Sequence, residues 1–155
     1  MNRHNWARTV SVTLLLVAAL TSCGGGSPAS AASKRLSDQG PCDLAKVDDL
    51  EKIFGPVNND HPPKQEGPQC FYRFENGDPA IGRRADAARH GTSFDIDGVA
   101  AKKYEANGTC AVDVWLVPDD LNQQFGVVSI GEVGDQGPCD VSVAVARLIL
   151  KNLPG

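Results

Sequence analysis

Five cysteines hold most of the chemistry this chain could perform. A thiolate is a nucleophile and a metal ligand, and in an oxidising compartment two thiols join as a disulfide. Cys42, Cys70, Cys110 and Cys139 are spread through the polar part of the chain, whereas Cys23 stands apart at the end of its one strongly apolar run. Metal binding competes for the four, but no pair has C-x-x-C spacing, and beyond the apolar run only His61 and His90 offer imidazole nitrogen. The four therefore read as two disulfides, with no metal and no cofactor implied, and four cysteines allow three connectivities.

Cys23 invites a different reaction. Arg3 and Arg8 precede the apolar stretch Val10–Leu20, and no acidic residue occurs before Asp38. A positive start, a short apolar core and small residues at its end are the parts of a secretory signal peptide. The run is shorter than the roughly 20 apolar residues of a transmembrane helix. Its close, Leu20-Thr21-Ser22-Cys23, resembles a bacterial lipobox, in which the cysteine sulfur receives a diacylglyceryl group before cleavage on its N-terminal side. The rival site, Ala29-Ser30-Ala31, lies beyond Gly24-Gly25-Gly26-Ser27-Pro28, farther from the apolar segment than signal peptidases act. Lipidation at Cys23 is therefore expected, with the chain tethered rather than membrane-spanning. Each buried acyl carbon contributes about 0.8 kcal/mol, and two or more chains hold stably where one does not.

The expected organisation is a lipoprotein signal peptide over 1–22, a flexible tether over 23–36 and a single domain over 37–155. The Gly/Ser/Ala-rich stretch after Cys23 has almost nothing to bury. The remainder, about 120 residues, suits one hydrophobic core. Beyond residue 22 the chain has 13 basic and 19 acidic residues. That acidic balance provides no electrostatic footprint for nucleic acid and no polybasic clamp for anionic lipid.

An internal echo organises the domain. Asp38-Gln39-Gly40-Pro41-Cys42-Asp43-Leu44 recurs as Asp135-Gln136-Gly137-Pro138-Cys139-Asp140-Val141, identical but for the last position. Each copy enters a helical pattern: Leu44, Val47, Leu50 and Phe54 before Gly55-Pro56, then Val141, Ala144, Val145, Leu148 and Leu153 before Pro154-Gly155. Between them the period changes to two. Strands are expected over Gln69–Asn76, Thr92–Ile96, Lys102–Glu105, Thr109–Val117 and Phe125–Val133, with Asn107-Gly108 as a hairpin turn. Helix, strands, helix predicts an α+β fold, an antiparallel sheet of about four to six strands with the N- and C-terminal helices packed on it. Each cysteine pair then joins a helix start to a strand, which favours Cys42 with Cys70 and Cys110 with Cys139. The nested arrangement, Cys42 with Cys139 and Cys70 with Cys110, stays open.

With these motifs in order, a likeness emerges. Gly-Pro-Cys-Asp-Leu at 40–44 leading to Phe54-Gly55, a second cysteine followed by aromatics, Asp97-Gly98-Val99-Ala100 leading to Asn107-Gly108-Thr109-Cys110-Ala111-Val112, and Cys139-Asp140-Val141 leading to Leu153-Pro154 together resemble the four-cysteine secreted lipoproteins of actinobacteria, including mycobacteria. That family has no known function. The sequence has Cys70-Phe71-Tyr72 where the family often has Cys-x-Trp, and Lys46-Val47 where it commonly has Ser or Thr before Pro. The resemblance implies an anchored extracytoplasmic domain and carries no catalytic residues with it.

Other chemically suggestive residues have plainer readings. Asp95-Ile96-Asp97-Gly98 opens like a calcium loop, but Val99 and Ala100 follow where oxygen ligands would be needed, so a strand turn is expected. Arg83-Arg84 and Arg89-His90 could meet an anion, yet Asp86 interrupts them and a solvated segment is the simpler account. His61, beside Pro62-Pro63, lacks a neighbouring nucleophile and reads as loop. Asn107-Gly108-Thr109 matches a glycosylation acceptor, although its hairpin role suffices. Trp115 and Tyr104 form either an exposed patch or a surface covered by a helix.

The expected function is accordingly not enzymatic. It is a lipid-anchored lipoprotein on the outer face of the cytoplasmic membrane, acting as a binding or protein-interaction module for an envelope partner. The alternative is a carrier of a small apolar ligand or lipid, held in a pocket between helices and sheet.

Overall fold

A computed structural model describes residues 34–83 and 86–155. Cys23 and the expected signal peptide lie outside the described residues, as does Arg84. The fold is α+β, built from α1 (Val47–Phe54), β1 (Lys64–Glu66), β2 (Gln69–Phe71), β3 (Ala80–Arg83), β4 (Thr92–Ile96), β5 (Val99–Ala106), β6 (Thr109–Trp115), β7 (Gln124–Ile130) and α2 (Pro138–Asn152). The seven strands form one antiparallel sheet in the order β1-β2-β3-β7-β6-β5-β4. That exceeds the four to six expected. The additional strands, β1 and β3, are short, and Lys64-Gln65-Glu66 has no apolar alternation to reveal it.

One face of the sheet packs on the helices. Cys70, Ile81, Val127, Val112, Phe125 and Val114 are fully buried there, as are Val141, Val145, Ala146 and Ile149 of α2. Transferring such side chains from water supplies about 1.5–3 kcal/mol for each large aliphatic or aromatic one. The buried stripe of α2 is turned from the expected one: Ile149 and Leu150 are buried, whereas Ala144 and Leu148 are only partly so. α1 buries Leu50 and Phe54, and Phe54 stacks on Phe74 with ring centroids 5.5 Å apart.

The two copies of the echo fold differently. The second forms the first turn of α2, with Pro138 at its start. The first makes only a 3-10 turn over Pro41–Asp43, closed by the Gly40 amide donating to Asp43 Oδ2 at 3.1 Å. Lys46 is then extended (φ −79°, ψ 141°), and the helix restarts at Val47 with Asp48 and Asp49 in its first turn. Acidic side chains are favourable there because the first amides of a helix are unpaired and point outward. The expected continuous helix from Cys42 is thus split in two.

Both disulfides join a strand to its echo motif, Cys42–Cys70 and Cys110–Cys139. The nested alternative is thereby excluded.

Candidate functional site

The second face of the sheet carries no helix. Side chains alternate across a strand, so register alone places Phe71, Ala80, Val128, Ala111 and Tyr104 in one row across five strands on that face. Phe71 is 40% and Tyr104 47% exposed, and Ile130, at the end of β7, is 61% exposed. Half-buried Ala80 and Val128 lie between exposed Phe71 and Ile130, whereas Ala111, 6% exposed, separates them from Tyr104; an exposed apolar cluster on a helix-free sheet face is less ordinary than isolated exposed residues.

Part of this row floors an open cleft of about 820 Å³. Phe71, Ala80, Val128 and Ile130 form the apolar floor, and the loop Asp60–Pro63 forms one wall. Arg73, Asp78, Lys64, Glu66 and Gln69 supply charged and polar groups around it. Lys64 and Glu66 pair with each other at 2.7 Å. His61 therefore sits in the wall of the cleft as an exposed loop residue, as expected for its surroundings, but at a place the sequence did not mark. Tyr72 borders the cleft but belongs to the core, where its hydroxyl donates to the Cys42 carbonyl at 3.1 Å. Burial pushes the Tyr72 phenol up to about 12 and keeps it neutral.

The space between helices and sheet, where a carrier pocket was expected, is occupied by the core side chains just described. The cleft lies on the other face. A smaller hollow of about 300 Å³, lined by His90, Thr92, Lys103, Tyr104 and Glu105 among others, opens beside the start of β4.

The same uncovered face contains a buried carboxylate. Asp113 is 1% exposed, although strand alternation sets it opposite the core face. The loop Asp86–His90 folds over it: Ala88, itself fully buried, donates its amide to Asp113 Oδ2 at 2.7 Å. Lys102 lies in the adjacent register position, and its ammonium is 5.8 Å from the Trp115 ring centroid. Burial raises the Asp113 carboxyl to about 6, against the lowering effect of the Ala88 amide; Asp86 raises it further and Lys102 lowers it. Trp115 is accordingly half-buried beneath polar neighbours, while Tyr104 stays open at the edge of the row.

The remaining suggestive residues resolve into structure. Asp95 Oδ1 accepts the Gly98 amide at 2.7 Å, and Asp97 and Gly98 both have positive φ, which makes a tight turn between β4 and β5. Asp97 also meets Arg147 at 3.2 Å on the surface. Asn107 and Gly108, with φ of 52° and 71°, make the β5–β6 turn. Arg83 is no anion site: its guanidinium donates to the carbonyls of Ser37 at 2.8 Å, Gln39 at 2.6 Å and Asn122 at 3.3 Å. Gln123 adds a reciprocal pair with Leu36, accepting its amide at 2.8 Å and donating to its carbonyl at 3.2 Å. Leu36 itself is buried in the core.

Among the described residues no cluster of His, Cys, Asp or Glu could hold a metal ion, and no helix is long and apolar enough to cross a membrane. No protein-family model, no curated protein and no solved structure matches the chain.

Proposed function

We propose that this chain is a lipid-anchored lipoprotein of the outer face of the cytoplasmic membrane, and that its domain is a non-enzymatic module binding an envelope partner. The observation that carries the binding reading is the cleft on the helix-free face, floored by Phe71, Val128 and Ile130 and rimmed by Asp60, Arg73 and Asp78. Exposed aromatic and aliphatic side chains ringed by polar groups have the anatomy of an interaction surface, with an apolar centre that excludes water and a polar rim that fixes orientation. The anchoring reading rests on the residues around Cys23 and on four further cysteines placed in two disulfides, which suit an exported, oxidised compartment.

The binding test is photo-crosslinking in native envelopes from probes placed at Phe71 and at Ile130. A defined partner should be captured from both, and capture from Ile130 should disappear in Phe71→Asp. Because Phe71 is exposed, that change should leave the melting transition within about 0.5 kcal/mol of the parent. Equal capture in the variant would remove the cleft from the account.

A further inference from the structure

The two edges of the sheet are unlike. β1 is three residues long, follows Pro62-Pro63, which carry no amide hydrogen, and presents the charges of Lys64 and Glu66. Proline and charge keep an exposed edge from pairing with another strand. β4, at the other edge, is Thr92-Ser93-Phe94-Asp95-Ile96, with no proline and one charge. That charge is turned back along its own chain, since Asp95 Oδ1 accepts the Gly98 amide.

The turn after β4 fixes which backbone groups the strand leaves open. Asp97 and Gly98, both at positive φ, are the central residues of a hairpin closed by Ile96 and Val99. Such a turn makes Ile96 and Val99 a hydrogen-bonded pair, and the pattern alternates from there. Ile96, Phe94 and Thr92 therefore direct amide and carbonyl to β5, while those of Ser93 and Asp95 point out of the sheet. Among the described residues no other segment pairs with them. Thr92, Ser93 and Asp95 are exposed, and Phe94 is half-buried at the rim, with the Lys103 ammonium 5.8 Å from its ring centroid.

We infer that β4 is a pairing edge for a second copy of this chain, joined antiparallel about a two-fold axis at Phe94. The strand is complementary to itself in that register. Ser93 faces Asp95 of the second copy and Asp95 faces its Ser93, so each carboxylate meets a hydroxyl rather than another carboxylate. Both are hydrogen-bonded pairs, each exchanging two backbone bonds. The two Phe94 rings meet in the intervening non-hydrogen-bonded pair, where opposed side chains are closest. Other two-fold registers are poorer. Centring on Asp95 sets like charges opposite each other. Centring on Ser93 sets Gly91 against Asp95, and the Gly91 amide is already donated to the Ala88 carbonyl at 2.8 Å.

The pair makes one continuous sheet with the axis perpendicular to it. Both helix layers then lie on one face and both clefts on the other, toward the outer β1 edges, where pairing leaves them open. With five residues a side the contact is smaller than a standard interface, so the pair exchanges readily and is best caught covalently. The pairing depends on neither the anchoring nor the envelope partner proposed above.

The test uses the full chain produced in a bacterial host, mildly oxidised in whole cells and resolved without reductant. Opposed Cα atoms of a non-hydrogen-bonded pair lie about 4.5 Å apart, within disulfide reach, whereas the two Thr92 positions are about 14 Å apart along the strands. Phe94→Cys should therefore give a product of twice the chain mass, at least about fivefold more than Thr92→Cys. Adding Ser93→Asp should reduce that product at least about fivefold, by setting carboxylates against Asp95 of the second copy. Within its own chain position 93 faces Lys102, so the same change should leave the melting transition intact. A photoreactive phenylalanine analogue at position 94 keeps the ring and should capture the same dimer even if the thiol variant folds poorly. Equal product from positions 92 and 94, no dimer from either probe at 94 in folded protein, or a product of another mass overturns the pairing.

Discussion

Asp113 shows how a single residue departs from its strand pattern. Alternation assigns it to the helix-free face, and the Asp86–His90 loop then removes it from water. Its folded carboxyl titrates at about 6 against an ordinary value of 3.8, so the folded state retains a proton across that window. The Asp113 contribution to stability is therefore greatest below about pH 4, declines as pH rises through 6, and is constant above. Discounted for nearby solvent, the decline should be no more than about 2 kcal/mol. Asp113→Asn keeps an acceptor for the Ala88 amide and cannot ionise. Urea titrations at pH 4.5 and 7.5 should show a smaller difference between the two pH values than in the parent, with the variant about 1 kcal/mol more stable at the higher. Arg83 acts at the same scale through three carbonyls. Arg83→Ala should speed hydrogen exchange of the Leu36 amide by at least about tenfold, corresponding to the loss of charge-assisted bonds of roughly 1.5 kcal/mol or more.

Among the elements, the echo motif sets a start signal but not the length of the helical segment it opens. The same six residues contain a 3-10 turn in one place and open a 15-residue helix in the other, because Lys46-Val47-Asp48-Asp49 comes after the first and the Val141–Val145–Ile149 stripe after the second. Each motif is pinned to a strand by its disulfide, and the two bridges have sequence separations of 28 and 29. Replacing either pair by alanine should therefore lower stability by a similar amount, about 3–4 kcal/mol in the chain-entropy model, as guanidinium unfolding midpoints would register. The turns can be tested separately. A Cβ at Gly108 meets no atom within 4 Å, yet its φ is +71°. Gly108→Val should thus cost about 1–2 kcal/mol from backbone conformation alone, measurable as a fall in melting temperature. The long central strands and both turns were legible because alternation, Asn-Gly and helix-start signals are local; those signals favoured the cysteine pairing without fixing it. β1 and β3 were not, since a three- or four-residue edge or bridging strand is stabilised by its neighbours' amides rather than by its own pattern.

For the molecule as a unit, sequence and fold divide the problem between them. Cys23→Ala should abolish incorporation of labelled fatty acid and move the protein from the membrane to the soluble fraction, since the acyl chains are the proposed attachment. Retained label in that variant would place the modification elsewhere. Composition, periodicity and the order of short motifs were enough for the α+β class, the use of four cysteines as disulfides and the expectation of a tether, because each of these is written in local stretches of chain. Which sheet face the helices cover was settled by packing alone. Both faces of β6 are largely buried, one by α2 and the other in part by the Asp86–His90 loop, so its alternation carries no label for inside and outside. The cleft likewise exists only through register. Phe71, Val128 and Ile130 are distant in sequence and become one floor when β2, β3 and β7 align through backbone hydrogen bonds that no side-chain pattern announces.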